Sequence, residues 1–280
     1  MCKRAAAAAA GASKRSKKQY SQAAGGSSSG AELARGMRGV LITCDPHVEK
    51  KAIRECIGLL SDLHERDTTN AAGEDAAAAA SSTAGSALAA ELAALQDEGG
   101  KPDARAFSAV RSGCAGNVMI RFAASAAAEP VELVDRAMER AAATGISCAP
   151  HVVRMLPVQA TCAAQPKAIV AAATPLLAAL RGSEGSYAVQ WKRRCNSGVD
   201  KMEVINGLAA AVLELAPKAR VDLTRPDTAL LVEVLRTVCC VSVLPAWVRH
   251  QGYNLRSVAG YVAPVRDGGR KESAQFNGTQ

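Results

Sequence analysis

Residues 229–235 and 238–244 limit the fold more than any other part of the chain. Both runs are almost unbroken apolar β-formers, interrupted only by Glu233 and Ser242. Strands without polar alternation are expected at the centre of a sheet covered on both faces. The rest of the chain must therefore supply a layer on each side, and its helical patterns alternate with strand patterns. That places the chain in the α/β class, or α+β if the sheets are mainly antiparallel.

The first half reads as one repeatable unit. Val40, Leu41 and Ile42 form a strand ending at Cys44, and Pro46 opens a helix to about His64 with Ile53, Cys56, Ile57, Leu60 and Leu63 at helical spacing. Strands are expected over 107–111 and 118–122, a helix from Pro130 with Val131, Val134, Met138 and Ala141 inward, and a strand over 151–156. The order βαββαβ is the ferredoxin-like arrangement. In the second half the patterns give a helix over 163–180, a strand over 187–193, a helix over 201–215 and a strand near 220–223. Residues 1–35 and 66–104 are Ala, Gly, Ser and charge, too poor in large apolar side chains to offset the entropy of ordering. The expected organisation is a disordered basic tail (1–36), a ferredoxin-like module (37–145) with a disordered insert (66–104), a second domain (146–246) and a C-terminal tail (247–280).

Charge is unevenly spread over a net +8. Lys3, Arg4, Lys14, Arg15, Lys17 and Lys18 give the first 30 residues +6, and residues 65–100 carry −6. These two cancel, so the remainder holds the whole excess, which suits either a polyanionic partner or simple solubility. The nine cysteines contain no C-x-x-C, and the four histidines fall in no zinc spacing. Such cysteines behave as small buried hydrophobes in a reducing compartment. The alanine-rich start is too weakly apolar for a signal peptide, and no run of 18 strongly apolar residues is present to span a membrane. Lys14-Arg15-Ser16-Lys17-Lys18 fits a nuclear import signal or an RNA-grasping arm.

The strand at 187–193 is the most informative about chemistry. Alternation sends Tyr187, Val189 and Trp191 to one face and Gln190 and Lys192 to the other, where Arg194 joins them if the strand persists. Arg193 is adjacent, and Asn196 and Ser197 follow, able to bond sugar or phosphate oxygens. Paired cations beside such groups fit a phosphate backbone, as well as an ordinary solvated edge. Arg154 and Arg236 lie in otherwise apolar runs, where an arginine needs water, a carboxylate or a ligand; Glu233 is near enough in sequence to pair with one of them. Aromatics are 3% of the chain, against a base-stacking platform. The phosphate-binding loops G-x-G-x-x-G and G-x-x-x-x-G-K-[ST] and the zinc-deaminase pattern are absent. Gly182 to Ser186 does not have the G-x-S-x-G spacing and precedes a strand, so it reads as a turn.

Several segments carry a family resemblance: RGVLITCD (38–45), RMLPVQATC (154–162), YAVQWKRRCN (187–196), VDLTRPDTALLVEV (221–234), CCVSV (239–243) and Tyr253-Asn254-Leu255. In this order, over about residues 37–258, they resemble the THUMP domain-containing protein 1 family. The resemblance implies a ferredoxin-like module coupled to a THUMP domain that together grip the acceptor end of tRNA. It implies no fused enzyme. The expected role is an adaptor for an RNA cytidine acetyltransferase, which itself uses acetyl-CoA and ATP to make N4-acetylcytidine in serine and leucine tRNAs, so the adaptor needs no cofactor. A nuclear or nucleolar location is expected, with the cytoplasm as alternative. Lys192, Arg193, Arg194 and Asn196 are then the principal RNA contacts, supported by Arg154 and Arg236. Relatives commonly place a lysine or arginine directly after the Thr161-Cys162 pair; Ala163 stands there, and Lys167 is the nearest substitute. The rival readings are a general RNA-binding or ribosome-assembly factor, and a THUMP-containing tRNA-modifying enzyme.

The basic tail generates a first test. Residues 1–30 contain cations and no apolar anchor, so deleting them is expected to leave the melting temperature nearly unchanged and to weaken RNA binding chiefly at low salt. A large fall in melting temperature would show that the tail packs on the body.

Overall fold

In the computed structural model, which describes residues 31–72 (side chains to 66) and 105–260, the first apolar run is the strand β1 (Gly39–Cys44). Helix α1 (Glu49–Ala72) returns the chain, followed by β2 (Phe107–Cys114), β3 (Asn117–Phe122), α2 (Pro130–Thr144) and β4 (Val152–Val158). The strands lie in the order β2-β3-β1-β4, all antiparallel. This is the ferredoxin-like topology that the spacing predicts. β1 and β3 approach closely at Gly39, whose φ is 152° and where a Cβ would run into the Ile120 carbonyl. Pro130 opens α2, and Leu133, Val134, Ala137, Met138 and Ala141 form its buried stripe. Gly145 stops it in the left-handed conformation, its N–H donating to the Ala141 carbonyl.

A second, mixed sheet follows in the order β5-β9-β8-β6-β7, built from β5 (Ala160–Ala163), β6 (Ser186–Arg194), β7 (Arg220–Val221), β8 (Thr228–Leu235) and β9 (Val238–Leu244). β6 runs parallel to β7 and β8, while β9 is antiparallel to both its neighbours. β8 and β9 are central and buried, as their composition demands. On one face Leu230, Val232, Val234, Cys239 and Val241 pack with α3 (Pro166–Ala173) and α4 (Lys201–Leu215) through Ile169, Val204, Leu208 and Val212. On the other, Ala229, Leu231, Leu235, Cys240 and Leu244 belong to the same core as the first sheet. The class is mixed α/β.

Five expectations change. The helix that begins near Pro46 does not stop at His64: it continues to Ala72, because nothing before Gly73 breaks it, so 66–72 leave the expected disordered insert and 73–104 lie outside the described residues. Residues 31–36 are not tail. The Arg111 N–H donates to the Ala31 carbonyl, the Leu33 N–H to the Arg111 carbonyl and the Gly36 N–H to the Thr161 carbonyl; residues 1–30 lie outside the described residues. The single helix expected over 163–180 is strand β5, helix α3 and a 3-10 turn (Leu176–Leu180). Pro166 lets a helix begin but Pro175 cannot continue it. The strand β4 completes the first sheet as the βαββαβ order requires, so the first module runs past the expected boundary at 145.

The fifth change concerns residues 247–260, expected as tail. They form turns and a short helix, α5 (Leu255–Val258), and Tyr253 and Leu255 are fully buried in the first module's core. The Tyr253 hydroxyl donates to Asp135 of α2 at 2.7 Å, and the Met155 N–H of β4 donates to the Tyr253 carbonyl at 3.0 Å. Residues 261–280 lie outside the described residues. Tyr253→Phe is expected to cost about 1–2 kcal/mol through the lost hydrogen bond, and Tyr253→Ala about 3–5 kcal/mol through the cavity. Chemical denaturation measures both. A cost near zero for the alanine variant would restore this segment to a tail.

Candidate nucleic-acid interface

The alternation of β6 sets the site. Tyr187, Val189 and Trp191 pack against the helices, and Trp191 is half-buried rather than fully enclosed. Gln190, Lys192 and Arg194 lie opposite Leu231, Glu233 and Leu235 of β8 in the parallel register, so they share the face turned to the first module. Arg154 and Leu156, two apart on β4, come from the other side. Between the sheets lies a cleft of about 250 Å³ lined by Arg154, Gln190, Trp191, Lys192, Glu233 and Trp247. Arg154 and Lys192, distant in sequence, therefore line one cleft. Arg154 is steadied by donating from Nη1 to the Gly252 carbonyl at 2.7 Å.

Glu233 is the electrostatic centre of this cleft. Its side chain is 4% exposed, and its carboxylate lies 3.8 Å from Nε of Arg194. Neither Glu233 Oε2 nor Arg194 Nε makes a hydrogen bond. Burial raises the Glu233 pKa above the ordinary carboxylate value, while the charges of Arg194, Lys192 and Arg154 pull the other way without overcoming it. Glu233 thus pairs with Arg194, not with Arg236.

The remaining expected contacts gather at one end of the second sheet. Arg236 lies outside the strands, in the β8–β9 turn with φ 54°, exposed, and its N–H donates to the Arg194 carbonyl at 3.1 Å. Its guanidinium rests on Gly113 of β2, where a Cβ would come within 2.6 Å of Nη1. Arg236 and Arg111 line a smaller groove of about 140 Å³ with Glu32. Arg111 was not singled out by sequence, because a lone arginine in β2 has no mark until the strand meets the β8–β9 turn. Asn196 is committed locally: Nδ2 donates to the Arg236 carbonyl at 2.6 Å, and Oδ1 accepts from the N–H groups of Gly198 and Val199. Arg193 is exposed and its Nη1 donates to the Val199 carbonyl at 3.1 Å. Lys167 is exposed in the first turn of α3, just beyond β5, where the Ala164 N–H donates to the Thr237 carbonyl of the same turn. Lys192 and Arg154 thus line the cleft, Arg194 lies beside Glu233, and Arg193, Arg236 and Lys167 lie around the adjoining end of the sheet.

Other features are structural. Ser186, at the end of the Gly182 turn, exchanges hydrogen bonds with Asp227 and ties β6 to the start of β8. A cleft of about 760 Å³ lies on the first module between Asp45, Ile146, Pro150 and Arg256, where acid and base offset each other. Among the described residues no group of three His, Cys, Asp or Glu side chains is placed to hold a metal, and no helix is long and apolar enough to cross a membrane.

The THUMP domain family profile matches residues 163–244, which run from the last residue of β5 to the end of β9. THUMP domain-containing protein 1 of Homo sapiens is 31% identical over 257 residues, covering 89% of this chain and 70% of that protein. The chain belongs to this family. The Mus musculus protein of the same name is 31% identical over 241 residues, covering 81% of the chain and 66% of its own length. A solution structure of the THUMP domain of THUMP domain-containing protein 1 is 36% identical, covering 26% of this chain and 76% of that one at a TM-score of 0.24. Both cleft walls, β4 with Arg154 and β6 with Lys192, fall within the roughly nine-tenths of the chain that aligns with the human relative, or adjoin its THUMP core.

The raised Glu233 pKa has a measurable sign. The native state holds this proton to higher pH than the unfolded chain, so stability falls as pH rises from about 4.5 through the folded value. Relative to wild type, Glu233→Gln is expected to lack that fall, so its melting temperature declines less over the same window. Parallel pH profiles for the two proteins would show that Glu233 carries no such cost.

Proposed function

We propose that this THUMP protein is a tRNA-binding adaptor without catalysis of its own, which presents tRNA to an RNA cytidine acetyltransferase for N4-acetylcytidine formation. Membership of the THUMP domain-containing protein 1 family over nearly the whole chain carries the reading. The cations support it. Lys192 and Arg154 meet in a cleft between the two modules, and Arg193, Arg236 and Lys167 extend the basic surface to one end of the THUMP sheet. Phosphate contacts of this kind position an RNA without reading its sequence, which is what an adaptor requires. Serine and leucine tRNAs are the proposed cargo, the acetyltransferase is the proposed protein partner, and acetyl-CoA and ATP belong to that partner. The cluster Lys14-Arg15-Ser16-Lys17-Lys18 supports a nuclear or nucleolar location.

Purified protein mixed with tRNA, acetyl-CoA and ATP is expected to leave the RNA unmodified, and addition of the acetyltransferase to produce acetylcytidine. Acetylation by this chain alone would overturn the adaptor reading. Lys192→Ala is the cleaner test of the interface, because Lys192 is exposed and leaves the Arg194–Glu233 ion pair in place. It should flatten the slope of log affinity against log salt by roughly 0.7–0.9 and leave stability within about 0.5 kcal/mol. Arg194→Ala is a poorer probe, since it also strips Glu233 of its ion pair.

A further inference from the structure

Glu233 is an odd residue to find in a cleft of this charge. It is buried on a central strand, its Oε2 has no hydrogen-bond donor, and the cations around it come from both modules: Lys192 is its neighbour across the β6–β8 pair, Arg194 lies 3.8 Å away, and Arg154 projects from β4. A carboxylate so enclosed cannot swing out to make room for another anion. Resting on the RNA-binding reading above, we infer that Glu233 is a specificity-determining residue: a fixed internal counter-ion that holds Arg154, Lys192 and Arg194 apart from one another's repulsion and bars phosphate from the depth of the cleft.

Two consequences follow. Backbone phosphates are confined to the rim, where Lys192 is exposed and where Arg193 and Arg236 continue the surface. A flexible polyanion that would otherwise thread into the cleft is penalised relative to a rigid helix that touches only the rim. At an effective dielectric near ~20, one unit charge several ångströms away changes anion affinity by roughly tenfold to a hundredfold.

The two tryptophans of the chain, Trp191 and Trp247, both line the cleft and report on it directly. Full-length protein is titrated with inorganic tripolyphosphate while tryptophan fluorescence is followed, and separately with folded tRNA. Wild type is expected to give little fluorescence change with tripolyphosphate. Glu233→Gln is expected to bind it at least tenfold more tightly with a steeper salt dependence, and Glu233→Asp to behave as wild type. Glu233→Met, which needs no hydrogen-bond partner, should gain the same site and guards against a folding defect peculiar to glutamine. Equal tripolyphosphate binding by wild type and both neutral variants overturns the role of Glu233, whatever tRNA does. Failure of wild type to bind tRNA, with the tripolyphosphate difference intact, overturns the RNA reading and leaves the anion barrier standing.

Discussion

Everything in this molecule depends on the double burial of β8. Its even residues, Leu230, Val232 and Val234, are covered by the helices of the THUMP domain, and Leu231 and Leu235 are covered from the side of the ferredoxin-like module. A strand buried on one face would let the two modules move as separate bodies. Buried on both, β8 makes the second cover obligatory, because exposing Leu231, Leu235, Cys240 and Leu244 would return their apolar surface to water at about 25 cal/mol per Å². The C-terminal segment adds to the same joint. Tyr253 sits in the shared core and bonds to Asp135 of α2, so the chain leaves the second sheet only to fasten the first.

That joint explains how a modest set of cations comes to share one cleft. Lys192 and Arg154 are far apart in the chain and belong to different sheets, yet they face one cleft because the modules meet there. A buried face does not tolerate cations alone, and Glu233 supplies the compensating charge from the middle of β8. The raised pKa of Glu233 records the physical balance: desolvation outweighs three favourable charges. The residue therefore costs stability, and it does so at the convergence of both modules.

Much of the fold was legible because burial leaves a strong pattern. The runs that became β8 and β9 could be central strands and little else, and the spacing of apolar residues through 39–158 led to βαββαβ. What escaped was stabilised by contacts rather than by composition. β5 is four residues of Ala, Thr and Cys that exist as a strand only because β9 offers an edge, and without that edge the alanines read as the start of a helix. Residues 247–260 look polar and glycine-rich, and one buried tyrosine among them does not alter the pattern.

The site divides along the same line. The face shared by Lys192 and Arg194 follows from a period of two and was readable. The uses of individual side chains were not, because they are set by partners remote in sequence. Asn196 resembles an RNA ligand by type, yet it spends its amide on the Arg236 carbonyl and its oxygen on Gly198 and Val199. In doing so it ties the end of β6 to the β8–β9 turn and fixes where Arg236 stands. Arg194 similarly resembles Lys192, two residues earlier on the same face, but it lies beside a carboxylate that Lys192 reaches only across the strand. Of these adjacent candidates, Lys192 leaves its charge exposed, whereas Asn196 and Arg194 are held by partners within the fold and shape the surface around it.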